Sequence, residues 1–260
     1  MMISYEHILV ECHDRLTTIT INRPAAYNAL HLAAHKELNH AFDAFQDNAE
    51  QWAAIITGAG DKAFCAGHDL KHQAGSTDLA LPKGGFGGLT ARFDLHKPVI
   101  AAVNGVAMGG GFEIALACDI IVSASSARFA LPEPKVGLAA IAGGMHRLPQ
   151  AIGMKRAMGY MLTGRTISAD QGLSLGFINE VAQDDVMETA KRWAGEILAC
   201  SPMSVRATKQ AAYAGWGQSI AQAIEADPHR TGITDMIASK DFLEGPIAFA
   251  EKRAPYWQGR

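Results

Sequence analysis

Two short apolar runs, "WAAIITGAG" (Trp52 to Gly60) and "KPVIAAVNG" (Lys97 to Gly105), each close on glycine and lead into a glycine-rich turn. Neither run alternates apolar with polar residues. A strand of that kind is buried on both faces, as in a parallel sheet covered by helices. The second run is followed by "AMGGGFEIA" (Ala107 to Ala115), where three glycines pass straight into an apolar helical stretch. Glycine loses more backbone freedom on folding than any other residue, so three at the head of a helix need a reason.

Tight turning and close packing of helix on sheet is one reason. The other is that bare N–H groups at a helix N-terminus can meet a ligand oxygen, helped by the positive end of the helix dipole. Known phosphate loops fit poorly. GxxxxGK[ST] is absent, "GAGDKA" lacks the third glycine of a dinucleotide fingerprint, and "GGGFEI" does not match it. An oxyanion hole fits better, and it needs two donors. A second glycine-containing turn, "FCAGHDLK" (Phe64 to Lys71), follows the earlier strand. Two parallel strands ending in neighbouring turns can aim one amide each at a shared point, each worth ~3 kcal/mol when preorganised.

Two carboxylates lie close in sequence: Glu113 in the first turn after the glycines, and Glu133 in "LPEPKVG", stiffened by prolines on both sides. Singly, they read as a helix N-terminal charge and a solvated loop carboxylate. Beside a glycine-built hole they read as an acid–base pair.

The remaining pattern is α/β. "HILVECHDRLTTITINRP" alternates like a hairpin turning at His13-Asp14. Leu30, Ala34, Leu38, Ala41 and Phe45 recur at helical spacing. "DIIVSASSARFALPE" reads as two strands, "GGMHRLPQAIGMKRAMGYMLTG" as helix broken near Pro149, and "SADQGLSLG" as a helix from the N-cap Ser168 to Gly176. "FINEVA" is a further strand, and from Asp184 onward the pattern is helical throughout. The glycine-rich segment from Ser76 to Asp94 reads as a mobile loop.

Composition narrows the class. At 260 residues, with 48% hydrophobic and 19% charged, the chain is long enough for a sizeable core and has the balance of a globular protein. A net charge of -3 argues against nucleic acid as the main partner. The four cysteines form no CxxC pair, which fits free thiols in a reducing compartment. No targeting peptide is evident, and no apolar run nears the ~20 residues of a membrane span. A cytoplasmic location without membrane association is the expectation.

Other motifs carry less. "GLSLG" satisfies GxSxG, but the strand and helix around Ser174 come in the wrong order for a nucleophile elbow. His68 and His72, and His31 and His35, have i, i+4 spacing without a third ligand, so they read as surface histidines rather than a metal site. Cys65 reads as a small buried thiol.

"INRPAAYNAL", "GAGDKAFCAGHDLK", "AAVNGVAMGGGFEIALACDI", "FALPEPKVGLAAIAGGMHRL" and "GFINEVA" occur in the order and spacing of the crotonase superfamily, and the chain resembles its enoyl-CoA hydratases over nearly its whole length. The resemblance implies an α/β crotonase spiral of ββα turns over residues 1–195. It implies a C-terminal helical region, 196–260, that builds a homotrimer or a hexamer. It implies an acyl-CoA thioester substrate, with CoA part of the substrate and no separate cofactor. His68 and Gly110 match the two oxyanion positions through their backbone N–H groups, and Glu113 and Glu133 match the two catalytic glutamates. Ala66, Leu70 and Lys71, with Lys252 from the C-terminal helix, match positions that hold CoA. The implied reaction is hydration of a trans-2-enoyl-CoA. Double-bond isomerisation, acyl-CoA hydrolysis or acyl-CoA binding without catalysis are the alternatives. Two positions depart from the family: His68 stands where a small residue is common, and Ala140 where many relatives have proline.

Overall fold

The computed structural model describes residues 5–70 and 80–260. β1 (Ile8–His13) and β2 (Leu16–Ile21) form the expected antiparallel hairpin. Its turn falls one residue later than the sequence suggests, at Asp14 and Arg15, which both take positive φ. Two-residue hairpin turns favour that geometry because it matches strand twist. In α1 (Leu32–Asp47), His31 is the N-cap, its Nδ1 accepting the Ala34 amide at 3.2 Å. Ala34, Leu38, Ala41 and Phe45 form its buried stripe, as their spacing predicts.

The middle of the chain alternates between two sheets. In order come β3 (Ala53–Gly58), β4 (Ala63–Cys65), β5 (Val99–Val103), β6 (Val106–Met108), α2 (Gly110–Ala117), β7 (Ile120–Ala124) and β8 (Arg128–Ala130). Then follow α3 (Gly144–Ile152), α4 (Met154–Thr163), β9 (Ile167–Ser168), α5 (Ala169–Leu175) and β10 (Glu180–Ala182). The first sheet runs β1-β2-β3-β5-β7-β10 and the second β4-β6-β8-β9. β3, β5 and β7 are mutually parallel, as are β4, β6 and β8. Each turn therefore lays one strand in the first sheet and the next in the second, which is the expected spiral.

α6 (Val186–Leu198) explains the unbroken apolar runs. Its Ala190 and Ala194 pack on Ile55, Ile100 and Val122 from one side of the first sheet, while the main core fills the other. The expected boundary at residue 195 falls inside this helix. In the main core the rings of Phe112, Phe129 and Phe177 meet with centroids 5.2–5.3 Å apart.

The chain continues through α7 (Pro202–Gly215), α8 (Ile220–Ala226), α9 (Thr231–Ala238) and α10 (Lys240–Glu251). Three expectations need correction here. The pattern beyond Asp184 is not helical throughout, since a 3-10 turn at Asp227–His229, containing Pro228, divides α8 from α9; proline has no N–H to continue the ladder. The break expected near Pro149 lies at Gly153, which leaves helical geometry at φ 83°. The last residues are not helical: Lys252 ends α10, and the tail returns to Asp241, whose Oδ1 accepts the Gln258 amide at 2.7 Å. Ser168 and Gly176 cap α5 as expected, Ser168 in a reciprocal capping box with Gln171.

The described part of the glycine-rich segment, residues 80–94, is a clamped strap rather than a mobile loop; residues 76–79 lie outside the described residues. The amides of Gly84 and Gly87 donate to Asn39 Oδ1 at 2.9 Å and His35 Nδ1 at 3.0 Å. Arg92 bonds to the carbonyls of Gly88 and Asn39 and pairs with Asp43 at 2.7 Å. His35 is correspondingly a core residue, not the surface histidine its spacing suggested.

Candidate active site

The ends of β4 and β6, neighbours in the second sheet, place the two glycine corners side by side. At the first, Gly67 has φ 91°, and a Cβ there would lie 2.7 Å from the Met108 carbonyl oxygen and 3.2 Å from the Gly110 nitrogen. Only glycine allows that approach. The corner is held from the opposite side: Leu30 donates to Gly67 O at 2.8 Å, Asp69 to Leu30 O at 2.9 Å, and half-buried Ala66 to Tyr27 O at 3.0 Å. Arg23 pairs with Asp69 at 3.0 Å. His68 sits within this clamp, half-buried and bridged to Leu30.

At the second corner, Gly109 donates to Ala130 O at 2.9 Å and α2 begins at Gly110. The Gly110 N–H has no acceptor among the described residues. A Cβ on Gly110 would lie 2.3 Å from Cζ of Phe86, so an aromatic ring rests directly on the start of the helix. This answers what the glycine run is for: it admits a ring on one side and, at Gly109, a carboxylate on the other.

That carboxylate is Glu133, on the 3-10 turn Glu133–Val136. Its Oε1 lies 2.9 Å from where a Gly109 Cβ would stand, and its buried Oε2 has no hydrogen-bond partner among the described residues. Glu113, on the first turn of α2, is 3% exposed. Its Oε1 accepts the Gly144 amide at 2.8 Å. Burial pushes its pKa up to about 7, and the charge of Glu133 adds to the rise against the Gly144 hydrogen bond. Burial raises Glu133 as well. Two carboxyls in one desolvated space resist ionising together, so the pair can offer one proton donor and one acceptor.

The structure thus brings together Gly110, His68, Glu113 and Glu133. Ala66 belongs to the same corner, and Leu70, half-exposed, follows His68 directly. Lys71 and His72 lie outside the described residues. Lys252 is the exposed left-handed C-cap of α10, and no contact ties it to the glycine corners among the described residues. Ser174 is exposed in the last turn of α5, with no strand-to-helix elbow, and Cys65 is buried with its thiol pushed up to about 12. Sequence reasoning missed Phe86 and His35; "KGGFGG" was the available signal, an aromatic set among glycines.

A cavity of about 1480 Å³ opens beyond Phe86, between the strap, α3 and α7. Phe86, Leu89, Ile141, Ala142, Arg147 and Tyr213 are among its lining residues, while neither glutamate is. The strap forms one wall of this cavity. No helix among the described residues is long and apolar enough to cross a membrane.

Residues 11–260 match the enoyl-CoA hydratase/isomerase family. Among curated proteins, the chain is 43% identical over 249 residues to a carnitinyl-CoA dehydratase of Salmonella typhi, covering 93% of this chain and 94% of that protein. It is 41% identical to a carnitinyl-CoA dehydratase of Proteus mirabilis with the same coverage. Among solved structures, it superposes on an enoyl-CoA hydratase from Mycobacterium tuberculosis H37Rv with a TM-score of 0.90 at 39% identity, covering 98% of this chain and 99% of that one. An enoyl-CoA hydratase from Bacillus anthracis gives 0.90 at 35% identity, covering 98% and 100%.

Proposed function

The chain belongs to the enoyl-CoA hydratase/isomerase family, the crotonases, and from that membership we propose that it adds water reversibly across the 2,3 double bond of a trans-2-enoyl-CoA. The observation that carries this reading is the pairing of Glu113 and Glu133, both buried and both raised, beside the start of α2. A protein that only bound acyl-CoA would have no use for two desolvated carboxyls, which are costly to bury.

The thioester carbonyl accepts the N–H groups of His68 and Gly110. Ionised Glu113 takes a proton from water as its oxygen bonds to Cβ. The electron pair of the double bond moves toward the carbonyl oxygen, where the two amides stabilise the enolate-like state. Protonated Glu133 then delivers its proton to Cα. Dehydration runs the same steps backward, so one pair of carboxyls serves both directions. CoA extends past Ala66 and Leu70 toward Lys71, and Lys252 contributes from a neighbouring subunit of a trimer or hexamer. The exposed apolar side chains of the C-terminal helices, among them Ile220, Ile224, Leu243 and Phe249, support that assembly. The acyl tail beyond Cβ extends toward the cavity beyond Phe86.

Adding the protein to crotonyl-CoA tests the reading directly. The expected result is loss of the enoyl-thioester absorbance with formation of 3-hydroxybutyryl-CoA. Binding with no absorbance change overturns it, and double-bond migration or free CoA would redirect it to isomerisation or hydrolysis.

A further inference from the structure

Resting on the hydratase reading, we propose that His35 is a positioning residue for the oxyanion corner at Gly110. Its Nδ1 holds the Gly87 amide and so seats the Phe86 ring on the first turn of α2. His35 lies on α1, touches neither glutamate in any hydrogen bond, and is 1% exposed. The hydrogen bond from Gly87 measures 3.0 Å. The Phe86 ring meets the His35 ring edge-on, with centroids 4.4 Å apart and planes at 69°.

The consequence appears one residue at a time along α2. Phe86 covers Gly110, where a Cβ would come within 2.3 Å of its ring, and the backbone of Gly87 covers Ile114, whose Cδ1 would lie 2.5 Å from a Gly87 Cβ. The far side of Phe86 is fixed by its amide, which donates to Thr90 Oγ1 at 2.9 Å. The His35 ring also lies parallel to that of His68, at 6.2 Å and 14°. One imidazole therefore bears on both donor corners. A ring seated over Gly110 keeps water from one side of its N–H, where a donor aimed at a developing oxyanion gains most.

The role demands an acceptor at Nδ1. Accepting there puts the proton of the neutral ring on Nε2. Burial, with the fields of His68 and His31, pushes the His35 pKa down to about 3, so the ring stays an acceptor at neutral pH. Asparagine can place an oxygen close to the Nδ1 position. Leucine fills comparable space without an acceptor.

The experiment compares His35→Asn with His35→Leu in the full chain. With crotonyl-CoA, His35→Leu is expected to lose about tenfold or more in kcat with KM within about threefold, because misplacement near the chemistry costs turnover more than binding. His35→Asn should recover most of that kcat. Amide hydrogen exchange, which needs no turnover, should be faster in peptides spanning 84–88 and 109–111 for His35→Leu than for His35→Asn. Equal kcat in the two variants overturns the proposal, and so does equal exchange. If the unaltered protein fails to hydrate crotonyl-CoA, the hydratase reading falls, and the exchange comparison alone decides for or against His35.

Discussion

Oε1 of Glu113 accepts the amide of Gly144 at 2.8 Å, joining the first turn of α2 to the first residue of α3. The bond occupies one oxygen of the carboxyl. It also opposes the rise in pKa that burial imposes, so Glu113 sits at about 7 rather than higher. A carboxyl at that value is half-ionised near neutrality, the range in which a general acid or base is most effective.

Replacing either Glu113 or Glu133 by Gln should lower kcat for hydration by about a thousandfold, the middle of the range for removing a general acid or base. Affinity for butyryl-CoA, a saturated ligand, should stay within about threefold, since neither carboxyl is assigned to CoA. Turnover is read from enoyl-thioester absorbance and affinity by calorimetry. Near-normal turnover in both variants would remove the mechanism.

The raised pKa of Glu113 also links stability to pH. The folded state holds its proton up to about 7, whereas the ordinary carboxylate value is 4.5, so between these values the folded state binds more protons than the unfolded one. Stability should therefore be fully present below the lower value and decline as pH rises through the upper, by on the order of 3 kcal/mol at most. Denaturant midpoints compared at about pH 5 and about pH 8 should show the decline in the unaltered protein and a smaller one in Glu113→Gln. The acid limb of kcat/KM should fall near the same value.

Much of this was legible in the sequence, for definite reasons. The stripe on α1 repeats at 3.6 residues, and β3 and β5 are long enough to show both-face burial as unbroken apolar runs. β4, β6 and β9, at two or three residues, carry no period and were not legible, whereas the equally short β8 and β10 showed through the apolar residues around them. The glycine corners and the glutamates were visible as local motifs. His35 was not: its spacing to His31 resembles a surface pair, and only the strap, folded back across 52 residues of sequence, makes it a core acceptor.

Gly67→Ala should destabilise the fold by about 1–3 kcal/mol, the cost of a non-glycine residue in a sparsely populated backbone region. The added Cβ would press on the Met108 carbonyl at 2.7 Å and push the two corners apart. Hydration should fall more than the loss of folded protein explains. A thermal melt together with kcat per folded molecule separates the two effects, and unchanged kcat would show that the corners do not act as a pair.

Light scattering should find a trimer or a hexamer. Leu243 and Ile247, exposed on α10, are suited to a shared apolar face. Replacing both with Asp should shift the population toward smaller species, since burying unpaired charge at such a face is unfavourable. A monomer at micromolar concentration in the unaltered protein would contradict the proposed assembly.

The alternation of strands between two sheets separates what must stay constant from what is free to drift. His68 and Gly110 follow adjacent strands of one sheet, so their spacing is set first by backbone pairing. The strap and α3, which wall the cavity, hang outside that lattice. Away from Phe86, Gly87 and Gly144, substitutions in those walls would reshape the cavity while leaving the backbone spacing of the two corners as it is.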